Sequence, residues 1–141
     1  MFSAKKKALR LASLILVVFL TFSLLAPVAQ ARASLYIFSY SATIHTEGNG
    51  KVSVWFDITG TGTMEEIGAK TVTIYENNKS VFTYSFLADP SMMSYNKAFH
   101  CSSVTYSGVA GRSYYAVVSF WAAKQGGGDG RSVTTSSIIA V

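Results

Sequence analysis

Few of the 141 residues have side chains suited to catalysis, and those few fall into no recognisable arrangement. There are two histidines, His45 and His100, and a single cysteine, Cys101. A hydrolytic triad needs a base within hydrogen-bond reach of its nucleophile. His100 and Cys101 are adjacent, but neighbours on a strand point to opposite faces, so they do not form a pair with each other. Both histidines read as solvent-facing or hydrogen-bonded side chains. Cys101 reads as a small buried side chain on a strand. Its alternative is a reactive or intermolecularly paired thiol.

The carboxylates give no stronger signal. Glu65 and Glu66 with Asp57 or Asp129 would hold calcium only if their loops converged, and no loop has the dense oxygen spacing of such sites. Two histidines and one cysteine are too few for a zinc site without carboxylates. A glycosidase pair drawn from Glu65, Glu66 and Asp129 would need a cleft, which a small sandwich seldom offers. The glycine run at 126–130 lacks a following Lys-Ser/Thr and a helix, so it is no phosphate loop. Asn78-Lys79-Ser80 matches the glycosylation sequon, which matters only in a eukaryotic secretory pathway. The expectation is a non-enzymatic protein with no metal and no cofactor.

Aromatic side chains are the more informative group. Under period-two alternation Trp55, Tyr75, Tyr115 and Trp121 lie on outward faces. Exposed Trp and Tyr stack on sugar rings or anchor protein interfaces. A phase error of one residue would turn all of them inward.

Strands must position these residues. From residue 34 onward the chain is rich in Tyr, Phe, Val, Thr and Ile, and several stretches alternate with period two. The first strand spans about 36–46 and ends at an Asn49-Gly50 hairpin turn. The second, 51–58, buries Val52, Val54, Phe56 and Ile58. A loop at 59–68 carries Gly60, Gly62, Glu65 and Glu66. Strands follow at 70–76, 80–86, 98–107, 114–123 and 131–139, with one short helical turn at Met92-Met93 and a flexible loop at 125–130. In the sixth strand Tyr114, Ala116, Val118, Phe120 and Ala122 share the buried face. Seven strands of this spacing predict an all-β, seven-stranded antiparallel sandwich of two sheets, with a small barrel as the alternative.

Ahead of this region lies an export pattern. Lys5, Lys6, Lys7 and Arg10 precede an uncharged apolar run over 11–26, followed by Ala29-Gln30-Ala31 and Ala31-Arg32-Ala33. A basic region, an apolar core and a small-x-small site are what a secretory translocase and its peptidase read. The run is short of the roughly 20 residues that span a membrane. Residues 1–33 therefore read as a cleaved signal peptide, cut after Ala31 or Ala33, and 34–141 as one exported domain with no membrane association. The formal charge of +5 belongs to the leader: removing it leaves seven basic residues against seven acids. A nucleic-acid partner, which needs a basic face, is not expected. One cysteine permits no intramolecular disulfide, so packing must stabilise the domain.

Gly108 to Val118, with Gly111-Arg112-Ser113-Tyr114-Tyr115-Ala116 at its centre, resembles the penultimate strand of immunoglobulin-like and fibronectin type III-like domains. The resemblance implies that Tyr114 opens the strand and bonds its hydroxyl back to the turn. Ala116 stands where the immunoglobulin branch has a cysteine. Gly48-Asn49-Gly50, Trp55-Phe56-Asp57-Ile58-Thr59-Gly60-Thr61-Gly62, Met64-Glu65-Glu66-Ile67-Gly68 and the same Gly111-Arg112-Ser113-Tyr114-Tyr115-Ala116 also resemble small, uncharacterised secreted proteins of Gram-positive, clostridia-like bacteria. That likeness implies export and supplies no catalytic residues.

The function expected is a secreted binding or interaction domain for an extracellular glycan or protein. Its surface would be the outward aromatics and the loops at 59–68 and 125–130. The alternatives are a self-assembling extracellular subunit that pairs through sheet edges or Cys101, and a small protease inhibitor or hydrolase.

Overall fold

The structure, a computed structural model, describes residues 33–141. The expected leader at 1–33 lies outside them apart from Ala33. Seven strands run in chain order: β1 (Ile37–Gly48), β2 (Lys51–Glu76), β3 (Lys79–Ser85), β4 (Met93–Ser107), β5 (Ser113–Lys124), β6 (Gly127–Thr134) and β7 (Ile138–Ile139). All pairings are antiparallel, and all seven strands join one sheet that curls into a half-barrel. The all-β class and the number of strands agree with the sequence, although the expected strands at 51–58 and 70–76 are joined in β2. The expected division into two stacked sheets is replaced by a continuous sheet.

β2 is the reason. It is 26 residues long, where strands usually have about five or six. Its first half lies between β1 and β4, and its second half between β5 and β3. The expected loop at 59–68 is extended strand. Thr59, Thr61 and Thr63 are β-branched and favour extension. The glycines mark a bulge: a Cβ at Gly60 would stand 2.8 Å from the Gly62 carbonyl and 2.9 Å from Met64 Cγ. Pairing with β4 breaks after Thr59–Phe99 and resumes, shifted, at Met64–Lys97. Such an irregularity bends a strand and raises its twist, so the sheet turns a corner without interrupting its ladder.

The second expected loop, 125–130, is also mostly strand. Gln125 and Gly126, both at positive φ, form a two-residue turn, and β6 starts at Gly127. The next glycines are there for space. A Cβ on Gly127 would meet the Tyr36 hydroxyl, and one on Gly128 would stand 2.5 Å from the Trp121 ring. The expected seventh strand at 131–139 divides into β6 and β7.

The inner face carries the core. Val52, Val54, Phe56 and Ile58 on β2 are at most 2% exposed, and so are Tyr114, Ala116, Val118, Phe120 and Ala122 on β5. Each large side chain buried there contributes about 1.5–3 kcal/mol of transfer free energy. Tyr40 and Phe56 close on Phe120 across the curl, with ring centroids 5.7 and 6.3 Å away. The same alternation fixes which residues face outward.

Candidate functional site

On the outer face of β1–β2–β4 the register lines up two rows: Ser41, Asp57 and Cys101, then Thr43, Trp55 and Ser103. Together they line a shallow hollow of about 340 Å³. Trp55 is 55% exposed at its centre. Its indole N–H donates to Ser53 Oγ at 3.2 Å, which lays the ring along its own strand. Ser53, on the same outer face, is buried beneath it and donates to Glu47. Ser41 donates to Asp57. The result is an aromatic plate bordered by hydroxyls and one carboxylate.

The other three outward aromatics lie elsewhere along the bent sheet. Tyr75 and Tyr115 face each other across β2 and β5, parallel to within 1° and with centroids 4.8 Å apart. Each turns a ring face to the other, so the pair first stabilises the sheet. Trp121 stands opposite Gly68. Its indole N–H donates to Glu66 Oε2 at 3.2 Å, the Lys70 ammonium sits 3.7 Å from its ring centroid, and the backbone of Gly128 lies against it. The four aromatics thus occupy three separate places, and Trp55 is the most exposed of them.

A second hollow, of about 510 Å³, lies beside Trp121 and is lined by Glu65, Glu66, Tyr95, Asn96 and the Gly126–Gly128 backbone. Tyr95 is 55% exposed and Phe99 50%. Sequence reasoning passed over both. An expected strand starting at residue 98 left Tyr95 outside it, and Phe99 lay inside that strand with no face assigned to it.

The residues with catalytic side chains are kept apart. His100 points inward, is 5% exposed and stacks on Phe56 at 6.1 Å. Its Nδ1 meets Ser94 Oγ at 2.8 Å, while Nε2 is buried with no partner among the described residues. The expected hydrogen-bonded histidine is thus met at one ring nitrogen and not at the other, and the solvent-facing alternative is corrected. Burial pushes the His100 pKa below its ordinary value, because a charged imidazolium would lose its hydration. Cys101 is exposed and unpaired, which corrects its reading as a buried side chain. It sits on the outer face, opposite in direction to His100. Among the described residues no three His, Cys, Asp or Glu side chains gather as a metal-holding group.

Tyr114 anchors the β4–β5 turn. It is fully buried, and its hydroxyl accepts the Val109 N–H at 2.8 Å and donates to Glu76 Oε1 at 2.5 Å. Arg112 reaches the other Glu76 oxygen at 3.0 Å. The Tyr114 hydrogen bond, and then Arg112, hold the Glu76 carboxyl below its ordinary pKa, with partial desolvation opposing them. Burial, and then the bond to Glu76, push the Tyr114 phenol up.

Comparison with known proteins finds no matching family, no matching curated protein and no matching solved structure.

Proposed function

We propose that this protein is an extracellular, non-enzymatic binding domain whose ligand is a carbohydrate stacked on Trp55. The observation that carries this reading is the exposure of a large indole, 55%, in a hollow bordered by polar side chains. Leaving a Trp in water forfeits stabilisation that burial would give. A sugar ring offers C–H groups to an aromatic face and hydroxyls to its surroundings. Here Thr43, Ser103 and the Asp57 carboxylate stand ready to meet those hydroxyls. Export of the domain is supported by the leader pattern, and kinship with immunoglobulin-like domains only by the Tyr114 turn.

The test is binding of the purified protein to an array of bacterial cell-wall glycans and other polysaccharides. Wild type should bind a subset saturably. Trp55→Ala should lose that binding while keeping its circular-dichroism spectrum and melting temperature, because the ring is half in water. Equal binding by a folded Trp55→Ala variant would sink the proposal.

A further inference from the structure

We infer that the outward edge of β4 is a pairing site for a second copy of this chain, with the two β4 strands antiparallel about Cys101. This inference is independent of what Trp55 binds.

The direction of the main-chain groups follows from the β1–β2 hairpin. Asn49 and Gly50 form a two-residue turn, with φ of 54° and 76°. Its flanking residues Gly48 and Lys51 are the ladder pair. Odd-numbered β2 residues from Lys51 to Thr59 therefore turn their N–H and C=O toward β1, and even-numbered ones toward β4. The partners of those even residues are His100, Ser102, Val104 and Tyr106. Phe99, Cys101, Ser103 and Thr105 thus direct their main-chain groups away from β2. One contact bears this out independently: the Thr105 carbonyl is taken at 2.6 Å by the hydroxyl of Tyr84, a side chain of β3.

β4 pairs with β2 and with no other described strand. It is 15 residues long, has no proline or glycine, and its only charge is Lys97. Edges meant to stay free are usually short, charged or bent away. β3 crosses this edge only near its C-terminal end, where Tyr84 bonds Thr105 and Phe82 lies 6.2 Å from Tyr106; the other long edges are crossed as well. The N-terminal end of β1 and the start of β6 meet across the curl, where the Tyr36 hydroxyl lies over Gly127 and Ser34 bonds Asp129. At the far end of β1, the Val141 N–H bonds Thr46 Oγ1.

A two-fold axis at Cys101 gives a consistent register. Phe99 stands opposite Ser103 of the second copy, Cys101 opposite its own counterpart, and Ser103 opposite Phe99. About six main-chain hydrogen bonds result. No like charges oppose each other between 98 and 104. On the inner face, Ser102 of the second copy stands opposite His100, whose buried Nε2 has no partner among the described residues. The two Cys101 side chains come within about 5 Å at Cβ. Both Trp55 rings then lie on one face of the joined sheet, about 20 Å apart before twist, which would make ligand binding bivalent.

The experiment is sedimentation of the purified protein in reductant, combined with crosslinking by a short bismaleimide. The inference requires a reversible dimer that the reagent captures through Cys101. Cys101→Lys, which opposes two ammonium groups at the axis, should weaken association by about tenfold or more. Cys101→Ser should leave it intact, and both variants should keep the wild-type circular-dichroism spectrum. A monomer at every concentration overturns the inference. So does a dimer that Cys101→Lys does not weaken and the reagent does not capture. A β4 edge filled instead by an added peptide, with the protein otherwise monomeric, also counts against it.

Discussion

Replacing Tyr114 by Phe removes one oxygen and little else. The ring stays buried beside Tyr106, whose centroid is 6.0 Å away. The oxygen makes two hydrogen bonds, one accepted from Val109 N–H and one donated to Glu76. A neutral hydrogen bond contributes about 0.5–1.5 kcal/mol net, and one to a charged group about 1.5–3. Val109 is half exposed, so water can partly replace its lost partner. The expected cost at neutral pH is therefore about 2–3 kcal/mol, which in a domain of this size lowers the melting temperature by about 10–20 °C. Urea denaturation followed by circular dichroism measures it. The cost should also depend on pH. The Glu76 carboxyl titrates below its ordinary value in the folded state, so its contribution is complete above the unfolded pKa and is lost as pH falls through the folded one. The gap between wild type and Tyr114→Phe should narrow in acid. A variant within about 0.5 kcal/mol of wild type at neutral pH, the range of an ordinary surface change, would refute this account of the turn.

Three further outcomes follow from the same geometry. Gly68→Ala would drive a Cβ to 2.3 Å from the Met92 carbonyl, a backbone atom with little freedom to retreat; it should cost about 1–3 kcal/mol or more in a urea melt. His100 is held neutral by burial, so wild-type stability should fall as pH drops below about 6.5, where the unfolded chain takes up a proton and the folded one does not. His100→Asn should flatten the pH dependence of the melting temperature between pH 7 and about 5, above the carboxylate range. Lys70→Ala removes the ammonium over Trp121 and should cost about 0.5–1 kcal/mol, read in the same melts.

The inward face of β5 and of the first half of β2 was legible because alternation is a local property. Val52 to Ile58 and Tyr114 to Ala122 pair one buried residue with one outward residue throughout. The course of 59–68 was not legible. Gly60 and Gly62 read as loop signals, yet they lie within a continuing strand, where the bareness of Gly60 makes room for Met64 and the Gly62 carbonyl at a bulge. A bulge and a loop have the same composition; only the ladder with β4 separates them. The same holds for Gly127 and Gly128, whose missing side chains make room for Tyr36, from the far end of the chain, and for Trp121 on the neighbouring strand. With β2 unbroken, two expected sheets became one curled sheet. The exposure of Trp55 followed from its phase on β2. The separation of Trp55 from Tyr75, Tyr115 and Trp121 did not, because it depends on the bend. Cys101 was misplaced because its type suggests burial, while its position opposite Asp57 puts it on the outer face.

The most direct measurement is NMR shift mapping with the glycan that gives the strongest array signal. Binding on the β1–β2–β4 face predicts changes clustered at Ser41, Thr43, Trp55, Asp57 and Ser103, with the Trp55 indole N–H among the largest. Changes confined to Tyr75 and Tyr115, or to the hollow beside Trp121, would contradict it.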